Sequence, residues 1–248
     1  MTQTTPEILQ RQHGAVLELR FNRPAKRNAI TGPMYDALTA ALAAASDNDE
    51  TRAVLITGEG DTFTAGNDIA DFLAYAGAGE LPAVRFIHAI AAFTKPLVAA
   101  VGGPVVGVGT TLLLHCDLVY AAPSARLHVP FVDLGLVPEA ASSLLLPAAI
   151  GTHRASAMLL LGEPMGAEAA EAAGLLSVVP AEALHAHALS AAQRLAAKPA
   201  AALQASRALM RPGVEAVRAH MRLEEAAFAK ALASPDAQRA FQAFLNRT

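Results

Sequence analysis

From Ala15 to Phe21 apolar and polar residues alternate (AVLELRF) until Arg23-Pro24 ends the run, the two-residue period of a strand with one buried face. After Gly32-Pro33 the period lengthens. Met34, Leu38, Ala41, Leu42 and Ala45 recur at three- and four-residue steps, predicting a helix over 34–45 closed by the polar run SDNDE. RAVLITG at 52–58 reads as a buried strand. Gly58 and Gly60 then turn the chain into DTFTAGNDIADFLAYAGAGE, whose Gly- and Ala-rich stretch at 74–79 predicts a mobile surface loop. A helix over 82–93 follows, and the pattern repeats as strand 97–101, turn, helix 107–115 and strand 117–121. Strands alternating with helices predict an α/β fold.

Beyond Pro180 the character changes. Alanine-dominated stretches at 181–197, 199–210, 214–233 and 236–245 contain almost no strand formers, so the chain divides into an α/β core over 1–180 and a helical region over 181–248. Val214, Val217, Met221, Phe228 and Leu232 form one apolar stripe, and Phe241, Phe244 and Leu245 another, a spacing that serves a core or a subunit interface. The uncharged segment 96–114, PLVAAVGGPVVGVGTTLLL, is long enough to cross a bilayer. Gly102-Gly103-Pro104 in its middle would break a spanning helix, so strand, turn and buried helix account for it better.

The 248 residues are 53% hydrophobic and 17% charged, with a net charge of −3. That composition excludes a disordered or disulfide-stapled chain and weighs against a nucleic-acid partner, which needs a basic face. The single cysteine, Cys116, has no partner for a bridge or a CxxC motif, which fits a reducing compartment. The N-terminal MTQTTPEILQRQHG shows neither the basic nor the apolar region of a secretory signal. A cytoplasmic location is the expectation.

Walker, GxSxG, HExxH and strand-linked GxGxxG motifs are absent, and His115, His128 and His153 lack metal-like spacing with carboxylates. Two glycine-containing turns each follow an apolar strand and open a helix: Ala65-Gly66-Asn67-Asp68 and Gly102-Gly103-Pro104-Val105-Val106-Gly107-Val108-Gly109. Either is a tight βα turn, or the two aim unpaired N–H groups into one pocket as an oxyanion hole. A lone carboxylate, Glu139, sits in the apolar segment LVPEAASSLLLP. With Pro138 suited to a first helical turn, it reads as a residue compensating the helix dipole, or as a general base whose pKa is raised by apolar surroundings.

In order and separation, Phe21-Asn22-Arg23-Pro24-Ala25-Lys26-Arg27-Asn28-Ala29, the two turns, Cys116-Asp117 and Leu134-Gly135-Leu136-Val137-Pro138 resemble the crotonase superfamily of enoyl-CoA hydratases and isomerases over nearly the whole chain. The resemblance implies a spiral of ββα units with a C-terminal helical trimerisation region, and an acyl-CoA substrate with no further cofactor. It implies that the N–H groups of Asn67 and Val108 hold the thioester carbonyl. Ala65, Gly66, Asp68 and Ile69 would lie along the path of the coenzyme A thioester, Asp68 being equally a helix-start or turn residue. Lys26 and Arg27 would face the nucleotide phosphates; without the resemblance they read as a solvated basic pair.

Hydratases of this family carry two glutamates, and the aligned positions here hold Thr111 and Phe131. The remaining carboxylate, Glu139, stands where the peroxisomal-type Δ3,Δ2-enoyl-CoA isomerases, the most similar group, place their catalytic glutamate. Ring-isomerising enzymes of phenylacetate breakdown use an acidic residue there too. The expectation is an enoyl-CoA isomerase of fatty-acid degradation, assembled as a homotrimer or hexamer, with no membrane or nucleic-acid partner. The alternatives are another crotonase reaction, hydration or isomerisation of a ring-derived CoA ester, or a non-catalytic acyl-CoA binder. Asp133 is the second acidic candidate.

Overall fold

A computed structural model describes residues 5–75, 81–211 and 213–246. Its strands are β1 (Ile8–His13), β2 (Val16–Phe21), β3 (Ala53–Gly58), β4 (Leu97–Val101), β5 (Pro104–Val106), β6 (Leu118–Ala121), β7 (Arg126–His128), β8 (Met165–Gly166) and β9 (Ser177–Val178). Its helices are α1 (Gly32–Asp47), α2 (Ile69–Tyr75), α3 (Pro82–Ala92), α4 (Val108–Leu113), α5 (Ser142–Ile150), α6 (Thr152–Leu161), α7 (Ala167–Ala172), α8 (Leu184–Ala196), α9 (Ala200–Met210), α10 (Val214–Leu232) and α11 (Pro235–Leu245).

Six strands form one sheet in the order β1-β2-β3-β4-β6-β9, parallel except for the β1–β2 hairpin. A second, three-stranded sheet runs β5-β7-β8. β3 and β4 are apolar along their length because both faces of the sheet are covered. Their residues sort alternately. Val54, Ile56, Leu97, Ala99 and Val101 join Phe21 and Phe63 in the main core with α1 and α3, while Ala53, Leu55, Val98 and Ala100 face the opposite side. There α8 lays Leu184, Ala188, Ala192 and Ala196 against them at four-residue steps, with three alanines allowing close approach.

The α/β architecture follows the sequence reading, with differences at the edges. β1 was not anticipated: ILQRQH buries only Ile8 fully, and an edge strand with one solvated face shows little apolar signal. α6 and α7 also fall in a region that yielded no element, and α5 begins at Ser142, beyond the first turn suggested at Pro138. The loop expected at 74–79 overlaps the end of α2 at 74–75, and its remainder lies outside the described residues. The segment 96–114 is divided among β4, β5 and α4, and among the described residues no helix is long and apolar enough to cross a membrane. In the predicted stripe of α10, Val217 and Met221 are buried and Phe228 and Leu232 pack against the core, whereas Val214 is exposed. On α11 Phe241 is buried while Phe244 and Leu245 are exposed.

Candidate active site

The loop between β2 and α1 is folded around Asn28. It sits in the left-handed region at φ 55, beside Arg27 at φ 50, a conformation asparagine tolerates better than most residues. Its fully buried amide donates to the carbonyls of Glu59 (2.9 Å) and Thr62 (2.7 Å), and its Oδ1 accepts from Arg23 N (2.9 Å). The Asn28 carbonyl accepts from Thr64 Oγ1 (2.6 Å), which in turn accepts from Gly66 N (3.1 Å). Ala65 N donates to Arg27 O, Ile30 N to Gly66 O and Asp68 N to Ile30 O. The first glycine turn is therefore tied down on both sides of Asn67, whose own N–H is engaged by nothing in the described chain.

The second turn closes against the first. Val106 N donates to Thr64 O (3.0 Å) and Gly107 N to His128 O (2.8 Å). Gly66 is required at the junction: its φ is 84, and a Cβ there would lie 2.8 Å from Val106 O. Gly107, at φ 56 and ψ −122, adopts a backbone conformation open to glycine alone and launches α4. Val108 opens that helix, where N–H groups have no intrahelical acceptor, and its N–H has no partner within the described chain. Asn67 and Val108 both line a cavity of about 670 Å³ together with Glu139.

That cavity is walled by apolar residues of α3 and α10, including Ile87, Met221, Phe228 and Leu232. A second cavity of about 400 Å³ shares Asn67, Phe72, Glu139 and Phe228 with the first and extends toward α11. Glu139 and Asn67 thus stand where the two spaces meet. Ala65, Gly66 and Ile69 line the second cavity. Asp68 lines neither: its carboxylate is paired with Arg23 Nη1 (2.7 Å) and accepts from Asp71 N (3.2 Å), the helix-start role rather than a ligand contact. Burial opposes its ionisation, but the bond and charge of Arg23 together with the backbone N–H groups of Asp71 and Ala70 outweigh it and hold the carboxyl below its ordinary range. Lys26 and Arg27 are exposed on the loop and line neither cavity. Asp133 is exposed at the edge of the second cavity.

Glu139 precedes α5 rather than occupying its first turn, which corrects the helical placement suggested by Pro138. Its Oε1 accepts from Thr111 Oγ1 at 2.5 Å. Phe131 is a buried wall of the second cavity. Among the described residues Glu139 Oε2, which is buried, has no hydrogen-bond partner. Burial pushes the carboxyl up to about 8, with Thr111 pulling it down and the charge of Glu224 adding to the rise.

Ala140 and Ala141, which follow, are both left-handed at φ 58 and 56, a conformation that costs an alanine about 1–2 kcal/mol. It persists because the surroundings over-determine it. His115 Nε2 lies 2.9 Å from Ala140 O; burial pushes this imidazole down to about 4, so it is neutral and donates from Nε2. From α10, Glu224 accepts from the N–H groups of Ala141 (2.6 Å) and Ser143 (3.0 Å). The dipole-compensating carboxylate of α5 is therefore Glu224 and not Glu139.

Tyr35 of α1, 3% exposed, donates to Asn67 Oδ1 at 2.5 Å. Sequence reasoning missed Tyr35, His115 and Glu224. For Glu224 a signal existed: it interrupts the stripe Val217, Met221, Phe228 at a position one helical turn beyond Met221, where solvent-facing residues do not fall. Among the described residues no group of three or more His, Cys, Asp or Glu could hold a metal ion.

The enoyl-CoA hydratase/isomerase family matches residues 11–248. The chain is 41% identical over 184 residues to enoyl-CoA delta isomerase 2 of Rattus norvegicus, covering 71% of this chain and 47% of that protein. It is 34% identical to 2,3-dehydroadipyl-CoA hydratase of Escherichia coli K12, covering 97% and 96%. The crystal structure of an enoyl-CoA hydratase/isomerase from Pseudoalteromonas atlantica superposes with a TM-score of 0.93 at 41% identity, covering 98% of each chain. The chain belongs to the enoyl-CoA hydratase/isomerase family, within the crotonase superfamily. It spans about half the length of the delta isomerases it matches.

Proposed function

We propose that this protein is a Δ3,Δ2-enoyl-CoA isomerase. The observation that carries the reading is the buried Oε2 of Glu139, unpartnered among the described residues, in the same cavity as two unengaged backbone N–H groups; Thr111 and Phe131, which the resemblance aligns with the two hydratase glutamates, bring no carboxylate. Glu139 takes the C2 proton of a 3-enoyl thioester. The C2–H electron pair becomes the C1–C2 double bond of a dienolate as charge moves onto the thioester oxygen, where the N–H groups of Asn67 and Val108 stabilise it; as the carbonyl re-forms, that pair moves to C2–C3 and the C3–C4 pair takes up a proton at C4. The same carboxyl returns the proton at C4, leaving the double bond at C2–C3. One group suffices for a proton shift, whereas hydration is easiest with a second group to activate water.

In this reading one cavity takes the acyl chain, the other the pantetheine arm, and Lys26 and Arg27 meet the nucleotide phosphates outside. The thioester is the substrate and no further cofactor takes part. A homotrimer or hexamer, cytoplasmic in location, completes the proposal. Exposed Leu160 and Leu161 of α6 and Leu209 and Met210 of α9 are suited to subunit contacts.

The test incubates the protein with a trans-3-enoyl-CoA and, separately, a trans-2-enoyl-CoA, following the conjugated thioester by absorbance. Gain from the first without loss from the second supports an isomerase. Loss of the second favours hydration, the activity named for the Escherichia coli relative. Full turnover by Glu139→Gln would overturn the assignment of the base.

A further inference from the structure

Glu224 is a second carboxylate in the wall of the cavity that contains Glu139, 6% exposed and unused by the chemistry above. Its oxygens are spent on the turn that follows the base. Ala141 N–H donates at 2.6 Å, Ser143 N–H at 3.0 Å and Ser143 Oγ at 2.5 Å. One helical turn earlier on α10, His220 places Nε2 2.8 Å from the same Ser143 Oγ and 3.8 Å from Glu224 Oε1. His115 holds Ala140 O from the α4 side. The two left-handed alanines are thereby gripped from opposite directions, and Glu139 is the next residue up the chain.

We propose that Glu224 is a positioning residue for Glu139: its carboxylate, reaching across from α10, clamps the start of α5 and fixes the turn that presents Glu139 to the cavity. It also sets a negative charge near the base, which, after burial, contributes to keeping Glu139 protonated toward higher pH. The other polar groups around the base do different work. Thr111 of α4 hydrogen-bonds it, and Tyr35 of α1 donates to Asn67 and feels the charges of Glu139 and Asp71. Glu225 of α10 is paired with His88 of α3 at 2.6 Å. His128 and Asp133 line the second cavity. Among the described acidic residues, Glu224 alone bonds the backbone of the turn.

The inference rests on Glu139 being the base, so the test separates the two. The Glu139 carboxyl is titrated by 13C NMR in protein carrying labelled glutamate, the signal being assigned by its absence from Glu139→Gln. Parent, Glu224→Gln and Ser143→Ala are compared, together with the pH dependence of kcat and KM on a 3-enoyl-CoA. Glu224→Gln is expected to move the Glu139 titration downward by about one pH unit. It should also lower kcat roughly 10- to 100-fold with KM changed less than about threefold, the split for an interaction that matters in the transition state. Ser143→Ala keeps the charge, and should lower kcat by about threefold to tenfold while leaving the titration within about 0.3 of a unit. If Glu224→Gln does not fold, the Ser143→Ala result decides. Lowered melting temperatures with an unmoved titration and unchanged kcat would make Glu224 a structural cap only and overturn the proposal. The titration is read without substrate. An active Glu139→Gln would therefore sink the base assignment, while an unmoved titration and unchanged kcat in Glu224→Gln beside an inactive Glu139→Gln would sink the positioning role alone.

Discussion

Glu18 and Glu139 both have carboxyl oxygens withdrawn from solvent, and they behave in opposite ways. Glu18, on β2, is 1% exposed. It accepts from Arg20 (2.8 Å) and Thr57 (3.0 Å) and faces His13 Nε2 (2.7 Å) and His185 Nε2 (3.0 Å). Burial alone would raise its pKa, but these bonds outweigh it and bring the carboxyl down to about 2. Glu139 has one partner, a neutral hydroxyl, and a like charge nearby, and it stands at about 8. Burial is common to both, so the partners decide the direction. Where every oxygen is answered, the carboxylate is a rivet between β2 and α8. An oxygen left unanswered makes it a base with a conjugate acid near the working pH.

The largest break in this contrast is chemical. Glu139→Gln keeps the shape of the side chain and removes its proton chemistry, and turnover is expected to fall by about 10³-fold or more. In the parent, kcat/KM should rise with pH and level off above about 8, because the free enzyme must lose the Glu139 proton before it can act. A profile level from pH 6 to 9 would contradict that assignment.

Next in size is the rivet. Glu18→Gln leaves Arg20 without its buried charge partner and should cost about 3 kcal/mol in unfolding free energy at pH 7, with kcat of the folded protein unaltered. The sign follows from a folded pKa lowered to about 2. Its stabilisation is complete above the unfolded value of about 4.5 and drains away as the pH falls toward 2. The variant should lack that part of the acid-induced loss. Denaturant melts at pH 3 and pH 7 measure it, and an equal gap between parent and variant at both pH values would refute the account.

Glu139 predicts the reverse slope. Its folded pKa is raised, so the stability linked to its proton is present below about 4.5 and lost as the pH climbs through about 8. Between pH 5 and pH 9 the difference in unfolding free energy between Glu139→Gln and the parent should move in the variant's favour by roughly 4 kcal/mol. An unchanging difference would mean that the carboxyl is better solvated than its buried Oε2 implies.

The parts of this molecule that the sequence displays are those governed by local or periodic rules. β3 and β4 show themselves as unbroken apolar runs, and α10 and α11 as stripes. The glycines at 66 and 107 mark turns that only glycine can make. The hidden parts are made by distant residues meeting. Nothing near Glu139 in the chain announces that its turn is capped from 83 residues away by Glu224. Likewise, Tyr35 holds Asn67 across 32 residues. β1 escapes because an edge strand that buries one side chain fully carries almost no pattern. Asp68 was read in two ways, and Arg23, which settles the matter by pairing with it, lies 45 positions earlier.

The smallest test addresses the turn itself. Ala141 pays for its left-handed conformation with about 1–2 kcal/mol that glycine would avoid, yet its methyl is fully buried in the main core, and losing it forfeits about 0.8 kcal/mol. Glycine also gives the unfolded chain more freedom. The terms nearly cancel, so Ala141→Gly should change stability by less than about 1 kcal/mol. The Ala141 N–H and its bond to Glu224 survive the substitution, as does the His115 bond to Ala140 O, so kcat should stay within about threefold of the parent. A large loss of kcat at unchanged stability would show that the two clamps do not suffice, and that the narrowed backbone freedom of alanine is itself needed to keep Glu139 in place.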